Sequence, residues 1–239
     1  MGHYLACMAE VVTLDRPVYG ISESADLLGL RTDRVRQWLD GYTSSKGVTY
    51  EPVIREATTG SDIVTWGEFV ELGYLREYRK ANVPLQRLRP VIQILRELHQ
   101  TPYPLAHYRP YVDDRELVMT IQEQHDVPAT IAMVIRTGEQ KFILAQPAER
   151  FFRKVEFTPP NGAEPIAARL FPAGPASPVV IDPLTSFGRP SVEGVATERL
   201  WELNDAGESL EDIAASYELS LHLVRAAVAY EDQQRSLAA

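Results

Sequence analysis

The stretch YGISESADLLGLRTDRVRQWLD, residues 19–40, decides how the first part of the chain folds. Its apolar residues recur at helical spacing in two short blocks, which Gly29 and Leu30 separate. Ser22 and Thr32 stand where the two helices would begin, and hydroxyl groups at such positions cap helix N-termini. The pattern therefore predicts two short helices joined by a tight turn.

The second of these helices separates an apolar side from a polar side. Val35, Trp38 and Leu39 share one side of a helical wheel, and the residues that point away from it are Asp33, Arg34, Arg36, Gln37 and Asp40. Long hydrogen-bond donors on such a helix reach base edges and phosphates in the major groove of DNA. The candidate DNA-binding residues are Arg31, Arg34, Arg36 and Gln37. The alternative is a solvated face in a helical subdomain.

The rest of the first hundred residues predicts a loop and two more helices. Residues 41–60 are rich in Gly, Ser and Thr and too long for a tight turn, so we expect a wing or loop there. Residues 66–78 and 85–99 repeat the helical period, with Asn82-Val83-Pro84 between them. We assign residues 1–100 to one N-terminal domain.

Proline and glycine dominate the segment that follows. Pro102, Pro104 and Pro110 interrupt any helix, and short apolar runs of strand length take over. Strands are predicted over residues 108–112, 116–120, 141–144, 154–157 and 167–171, with a further short strand over residues 179–182. We expect the first five runs to form a small antiparallel sheet in a middle domain, residues 101–175.

The last domain, residues 176–239, closes with three predicted helices. Thr197 begins the first of them, and Gly207 lies just beyond its end, where glycine is common. Ser209 and Asp212 resemble a capping box at the start of the second helix. The complete chain is therefore predicted to be α+β: an N-terminal helix-turn-helix with a wing, a small antiparallel β middle, and a C-terminal three-helix bundle that is itself helix-turn-helix-like.

The last predicted helix presents an unusual outer face. Leu221, Val224, Ala227 and Val228 would point inward, and the residues on the other side are His222, Leu223, Arg225, Ala226, Ala229 and Tyr230. An apolar outer face of this kind favours contact with another protein. The alternative is that the middle sheet or the second subunit of a dimer covers it.

Charge distinguishes the two ends of the chain. Residues 1–100 and 101–175 each carry a net charge of −1, whereas residues 176–239 carry −7 of the total of −9, with four basic and eleven acidic residues. Lys and Arg supply most of the affinity for phosphates, so the acidic end is a poor DNA ligand. We expect local DNA contact from the first hundred residues and protein contact from the last quarter.

The N-terminal stretch carries a family resemblance. The pattern Tyr19-x-Ile21-Ser22-x-x-Ala25-x-x-x-Gly29-Leu30, followed by Val35-Arg36-x-Trp38, resembles the MerR-type winged helix-turn-helix. The resemblance implies that the second helix enters the major groove, that a wing lies beside it, and that a dimer binds a near-palindromic site. It makes Lys46, in the predicted wing, a phosphate contact. No metal-binding cysteine cluster follows, so we do not expect a metal or drug sensor.

The C-terminal domain carries a second resemblance, over residues 176–232. The motifs SPVVIDP (177–183), FGRP (187–190) and AGES (206–209), with their spacing to VRAA (224–227), are similar to an antitoxin-associated domain long catalogued only as a domain of unknown function. The whole chain resembles a VapB-type antitoxin of a VapBC module. That resemblance implies an antitoxin that blocks a PIN-domain ribonuclease toxin and represses its own operon by binding operator DNA. We expect it to act as a homodimer.

Arginine side chains are the expected inhibitory groups, because such nucleases hold a divalent metal with clustered carboxylates. Arg225 lies on the last helix, and Arg235 lies in the polar stretch 233–236, which we expect to be free to reach a partner. We expect the face of Leu223 and Tyr230 to dock while an arginine approaches the carboxylates. The candidate partner-binding residues are His222, Leu223, Arg225, Tyr230 and Arg235.

No catalytic motif is found in the sequence. The five histidines stand far apart without metal-ligand spacing, and Cys7 is the single cysteine, so we expect no enzyme, no cofactor and no metal site. The absence of disulfides and of any apolar run near about 18 residues fits a cytoplasmic protein that does not enter a membrane. Two alternatives stay open: a stand-alone MerR-like regulator whose C-terminal module dimerises or senses a ligand, and a structural or adaptor protein without DNA contact.

Overall fold

The chain divides into two compact units. A computed structural model describes residues 13–107, 134–135, 142–143, 146–158 and 165–238. The N-terminal unit comprises residues 1–152 and 157–167, and the C-terminal unit comprises residues 153–156 and 168–239. The strands predicted over residues 108–112 and 116–120 lie outside the described residues. The domain boundaries at residues 100 and 175 stay predictions.

The N-terminal unit begins with a helix-turn-helix. Its elements are β1 (Pro17–Gly20), α1 (Ile21–Leu28), α2 (Thr32–Asp40), β2 (Tyr42–Thr43), β3 (Thr49–Tyr50), β4 (Ile63–Thr65), α3 (Trp66–Lys80) and α4 (Leu85–His99). Gly29 adopts the left-handed conformation, with φ of 58°, and ends α1. Strands β2 and β3 pair as an antiparallel hairpin directly after α2. These findings confirm the two short helices, the turn between them and the wing.

The caps predicted for α1 and α2 are wrong. Gly20 and Arg31 occupy the two N-cap positions, and neither helix has a side-chain capping bond. Strand β1 continues to Gly20 and pairs with β4, and the Ile21 N–H donates to the carbonyl of Asp62. The start of α1 is therefore fixed by strand pairing, one residue before Ser22. Thr32 is the first residue of α2, because Arg31 already accepts the first helical hydrogen bonds.

Helix α3 is the centre of the N-terminal core. Thr65 and Glu68 form a capping box at its start, and most of the helix is buried. The Trp66 indole N–H donates to the Ala167 carbonyl over 2.7 Å. Gly73 admits the ring of Phe151 so closely that an added Cβ would lie 2.0 Å from it. A side chain at residue 73 would therefore push away Phe151 and the short helix α5 (Gln146–Phe152) that carries it.

Short strands complete the part of the fold predicted as a small antiparallel β region. Strand β5 (Val134–Ile135) pairs antiparallel with β6 (Phe142–Ile143), and β7 (Val155–Phe157) and β8 (Ala167–Leu170) follow. The α+β class, with helices and small antiparallel sheets, is confirmed. Among the described residues the predicted strands form separate two-stranded pairs, β5 with β6 and β7 with β8, so the expectation of one sheet is wrong. Residues 179–182 are not a strand, although Val180 forms an isolated bridge to Ser191. Prolines at both ends of this segment remove the backbone donors that a longer strand would need.

The C-terminal unit is built from one hairpin and three helices. Its elements are β9 (Ser191–Val192), β10 (Val195–Ala196), α6 (Thr197–Asp205), α7 (Leu210–Ser216) and α8 (Leu221–Ala238). Gly207 follows the end of α6 with φ of 99°, and the Ser209 hydroxyl accepts a hydrogen bond from the Asp212 N–H. The predicted three helices, the position of Gly207 and the cap at Ser209 are confirmed. Their shared core is the set Val179, Val192, Leu200, Ile213, Ala214, Val224, Ala227 and Tyr230.

One carboxyl group is buried in the N-terminal core. Glu71 is fully buried, and its Oε1 accepts a hydrogen bond from the Leu105 N–H over 2.8 Å. Its Oε2 has no hydrogen-bond partner among the described residues. Burial raises the pKa of Glu71 from 4.5 to about 8, against the opposing effects of the Leu105 N–H and the Arg96 charge, while the charge of Glu68 raises it further. The folded protein therefore holds Glu71 protonated at neutral pH.

This burial makes the stability of the protein depend on pH. Because the folded state binds a proton that the unfolded state has released, the free energy of unfolding is expected to fall as pH rises from about 4.5 to about 8. Glu71→Gln removes this contribution, so the variant should lose less stability than the wild type between pH 5 and pH 8. Urea unfolding across that range measures the difference. Glu23→Gln, at an exposed carboxylate, is the control, and parallel curves for wild type and Glu71→Gln would contradict the assignment.

Candidate functional site

A cavity of about 170 Å³ opens beside α2, and we call it the arginine cleft. Helix α2, the β2–β3 hairpin and helices α3 and α4 supply its walls. Three arginines line it, Arg34, Arg79 and Arg89, together with Gln37 and Gln86. No carboxylate is among its lining residues, and the three arginines form no ion pair with any described residue. The cleft therefore concentrates positive charge next to the predicted DNA-reading helix.

Two of these arginines are held in place by backbone carbonyl groups. The Arg79 guanidinium donates to the Val83 carbonyl over 2.7 Å, and that of Arg89 donates to the Glu51 carbonyl over 2.7 Å. Neutral acceptors orient a guanidinium without cancelling its charge, so both groups keep their attraction for an anion. Sequence reasoning missed both residues because they lie on α3 and α4, far along the chain from α2. The only available signal was the basic last turn of α3.

The hairpin beside the cleft is braced by aromatic stacking. The rings of Tyr42 and Tyr50 lie opposite each other across the two strands, with centroids 4.8 Å apart and planes within 17°. Gly41, with φ of 73°, connects α2 to this hairpin, and an added Cβ there would lie 2.3 Å from the Tyr50 carbonyl oxygen. Lys46 is exposed in the connection between the two strands. The hairpin thus offers an aromatic pair and one lysine beside α2.

The residues predicted to bind DNA fall into two groups in the structure, one inside the arginine cleft and one outside it. Arg34 and Gln37 lie together in the arginine cleft. Arg36 faces away from them and forms an ion pair of 2.7 Å with Asp62, and Arg31 forms one of 2.9 Å with Asp33. The hydrogen bond from Arg31 lowers the pKa of Asp33. Water competes for both partners of an exposed ion pair and makes it weak, so a phosphate can replace either carboxylate.

Asp40 does not point outward as the helical wheel predicted. Its side chain is 8% exposed and accepts a hydrogen bond from Arg55 over 3.0 Å. Residues 51–62 fold back over the end of α2 and cover it, and the Thr59 N–H also donates to the carboxylate. Burial acts to raise the pKa of Asp40, and these hydrogen bonds outweigh it and lower the pKa. Asp40 is therefore a structural anchor that joins the end of α2 to residues 51–62.

Arg55 is the second buried partner in this network. Its guanidinium donates to Glu68 over 2.7 Å and to the Ile63 carbonyl over 2.8 Å, in addition to Asp40. Burial acts to lower the pKa of Arg55, and the two carboxylates outweigh it and raise the pKa. Sequence reasoning missed Arg55 because its segment has no helical or strand periodicity.

The C-terminal candidate residues are only partly where the sequence placed them. His222 and Arg225 are exposed on α8, and Leu223 lies half-buried at the edge of the core. Tyr230 was expected to face outward, and that expectation is wrong because its side chain is 4% exposed inside the core. Helix α6 packs along α8 and covers part of the face that the helical wheel of α8 predicted to be exposed. The apolar outer face of α8 is therefore smaller than predicted.

Arg235 is likewise not in a free tail. Helix α8 extends to Ala238, and the Arg235 guanidinium donates to Glu231 and lies 3.6 Å from the centre of the Trp201 ring. A cation–π contact combined with an ion pair holds the side chain on the surface of its own unit. Arg225 lies 3.9 Å from the carboxylate of Glu211. Both arginines predicted to reach a partner thus have internal carboxylate partners.

Two known family models match this chain, one near each end. Residues 17–92 match the family model described as "Putative DNA-binding HTH domain", and residues 179–230 match the model described as "Protein of unknown function (DUF433)". The chain is thus a helix-turn-helix protein with a C-terminal DUF433 domain. It is 34% identical over 236 residues to the uncharacterized protein Rv2308 of Mycobacterium tuberculosis, with 96% of each chain covered. The chain belongs to the family of that protein.

Two further proteins of Mycobacterium tuberculosis are similar to this chain. The protein named "Putative antitoxin VapB45" is 27% identical over 193 residues, which cover 75% of this chain and 78% of that protein. The crystal structure of Rv2018 superimposes with a TM-score of 0.67 at 22% identity, over 90% of this chain and 99% of that one. The superposition shows a shared fold. Among the described residues, no helix is long and apolar enough to cross a membrane.

Proposed function

We propose that the protein is an antitoxin that neutralises a PIN-domain ribonuclease toxin and represses its own operon by binding operator DNA as a homodimer. It has no catalytic activity of its own. The observation that carries the proposal is the arginine cleft, where three guanidinium groups that form no ion pair within the described part of the chain adjoin α2 in a helix-turn-helix unit. The likeness to a protein named as a putative antitoxin supports the toxin-binding half.

Helix α2 supplies the base contacts, and the arginines that α3 and α4 contribute to the cleft supply phosphate contacts. Arg34 and Gln37 are long enough to reach base edges when α2 lies in the major groove. Arg79 and Arg89 are anchored by carbonyl groups and bind phosphates as fixed charges. The Tyr42 hydroxyl and Lys46 add contacts from the hairpin. Local charge therefore supports DNA binding in a chain whose total charge is −9.

Arg34→Ala tests the DNA-binding half. Loss of a base contact is expected to weaken binding to DNA from upstream of the gene by about 1–3 kcal/mol and to reduce sequence preference. Fluorescence anisotropy at several salt concentrations measures both effects. Arg150→Ala is the matched control, because it removes the same charge at an exposed site outside the cleft. Equal affinities for the two variants would remove Arg34 from the DNA site.

Co-expression with a PIN-domain protein encoded next to this gene tests the toxin-binding half. We expect the two proteins to co-purify and the complex to have lost its ribonuclease activity on RNA. A stand-alone regulator would instead purify alone and leave RNA cleavage unchanged when added in excess. That second result would contradict the antitoxin assignment whatever the outcome with DNA.

A further inference from the structure

The loop before the C-terminal hairpin has a strained backbone. Ser186 and Phe187 adopt φ of 50° and 56°, in the left-handed region that side chains other than glycine rarely occupy. The loop is held firmly, since the Leu184 N–H donates to the Asp182 carboxylate over 2.8 Å and the Gly188 N–H donates to the Thr185 carbonyl over 2.9 Å. Strain of this kind persists where the surrounding structure imposes it and is concentrated at functional sites.

The strained loop presents two apolar side chains to solvent. Phe187 is 85% exposed and Leu184 is 65% exposed, more than any other large apolar side chain described. The Phe187 ring is therefore hardly buried by the part of the chain that the structure describes. Packing of the ring there does not offset the energy of the strained backbone. An aromatic side chain on a rigid loop is the kind of residue that anchors protein interfaces.

The Phe187 loop belongs to the part of the chain that carries most of the net negative charge. Each arginine between residues 168 and 238 lies within ion-pair distance of a carboxylate in the same unit; these are Arg169, Arg189, Arg199, Arg225 and Arg235. The surplus charge is therefore carried by carboxylates. Glu193 is exposed in the turn whose Gly194 carbonyl accepts a hydrogen bond from the Ser186 hydroxyl, so a carboxylate adjoins the Phe187 loop. Nucleic acid, or a second copy of this surface, would meet like charge here.

We infer that the Phe187 loop and the adjoining Glu193 turn dock on the basic, RNA-binding surface of the partner ribonuclease. This inference rests on the proposed function. A ribonuclease must attract phosphates and accommodate bases, so its substrate surface is complementary to a carboxylate beside an exposed ring. Phe187 takes the place of a base and the Glu193 carboxylate takes the place of a phosphate. The Leu223 edge and the paired Arg225 and Arg235 are outside this contact.

Affinity measurements on the full chain test the inference. Once the wild type has been shown to bind the nuclease, Phe187→Ala is expected to weaken binding about thirtyfold or more, as at an aromatic hot spot. Phe187→Trp keeps a flat ring and should bind within about threefold of the wild type. Val48→Ala, at an apolar residue 51% exposed in the N-terminal unit, is the control and should not change nuclease binding. Circular dichroism melting verifies that the variants are folded.

Two further experiments, Glu193→Lys and competition by RNA, test the contribution of charge to nuclease binding separately from that of the Phe187 ring. Glu193→Lys should weaken nuclease binding about tenfold at low salt, because steering between opposite charges is lost. A single-stranded RNA should compete with the wild-type chain for the nuclease. A wild-type chain that does not bind the nuclease overturns the proposed function. A wild type that binds, with Phe187→Ala binding equally well or RNA failing to compete, overturns this inference alone.

Discussion

The buried ion pair between Arg55 and Glu68 holds the candidate DNA interface together. Glu68 belongs to the capping box that starts α3, and Arg55 lies in the segment that folds over α2. Asp40, near the end of α2, binds the same guanidinium. Arg55 thus fixes α2, residues 51–62 and α3 with respect to each other. Loss of one partner of such a buried pair typically costs about 3–5 kcal/mol, because the remaining charge is left buried and unpaired.

The arginine cleft is a consequence of that arrangement. Arg34 reaches the cleft from α2, whereas Arg79 comes from the end of α3 and Arg89 from α4. These side chains converge only if α2 and α3 keep the relative position that Arg55 imposes. The positive charge of the cleft is therefore assembled by tertiary structure, and the near-neutral composition of the first hundred residues does not reveal it.

Local patterns in the sequence predicted the elements well and the surfaces less well. The helix-turn-helix spacing and the three C-terminal helices follow from periodicity and glycine placement, which are properties of neighbouring residues. The inward position of Tyr230 depends on α6, and the start of α1 depends on pairing between β1 and β4. The exposure of Phe187 depends on backbone angles that no periodicity encodes. Such features arise from contacts between distant segments, so a single helical wheel does not capture them.

DNA and the nuclease, two ligands of opposite charge, are proposed to bind two separate units of one chain. Hydrogen–deuterium exchange of the full-length protein tests this most directly, measured alone, with DNA from upstream of the gene, and with the partner nuclease. We expect DNA to slow exchange in residues 31–50 and 79–89, and the nuclease to slow exchange in residues 183–194. The proposed division is contradicted if DNA and the nuclease protect the same segment. It is also contradicted if the nuclease protects residues 31–50 and DNA does not.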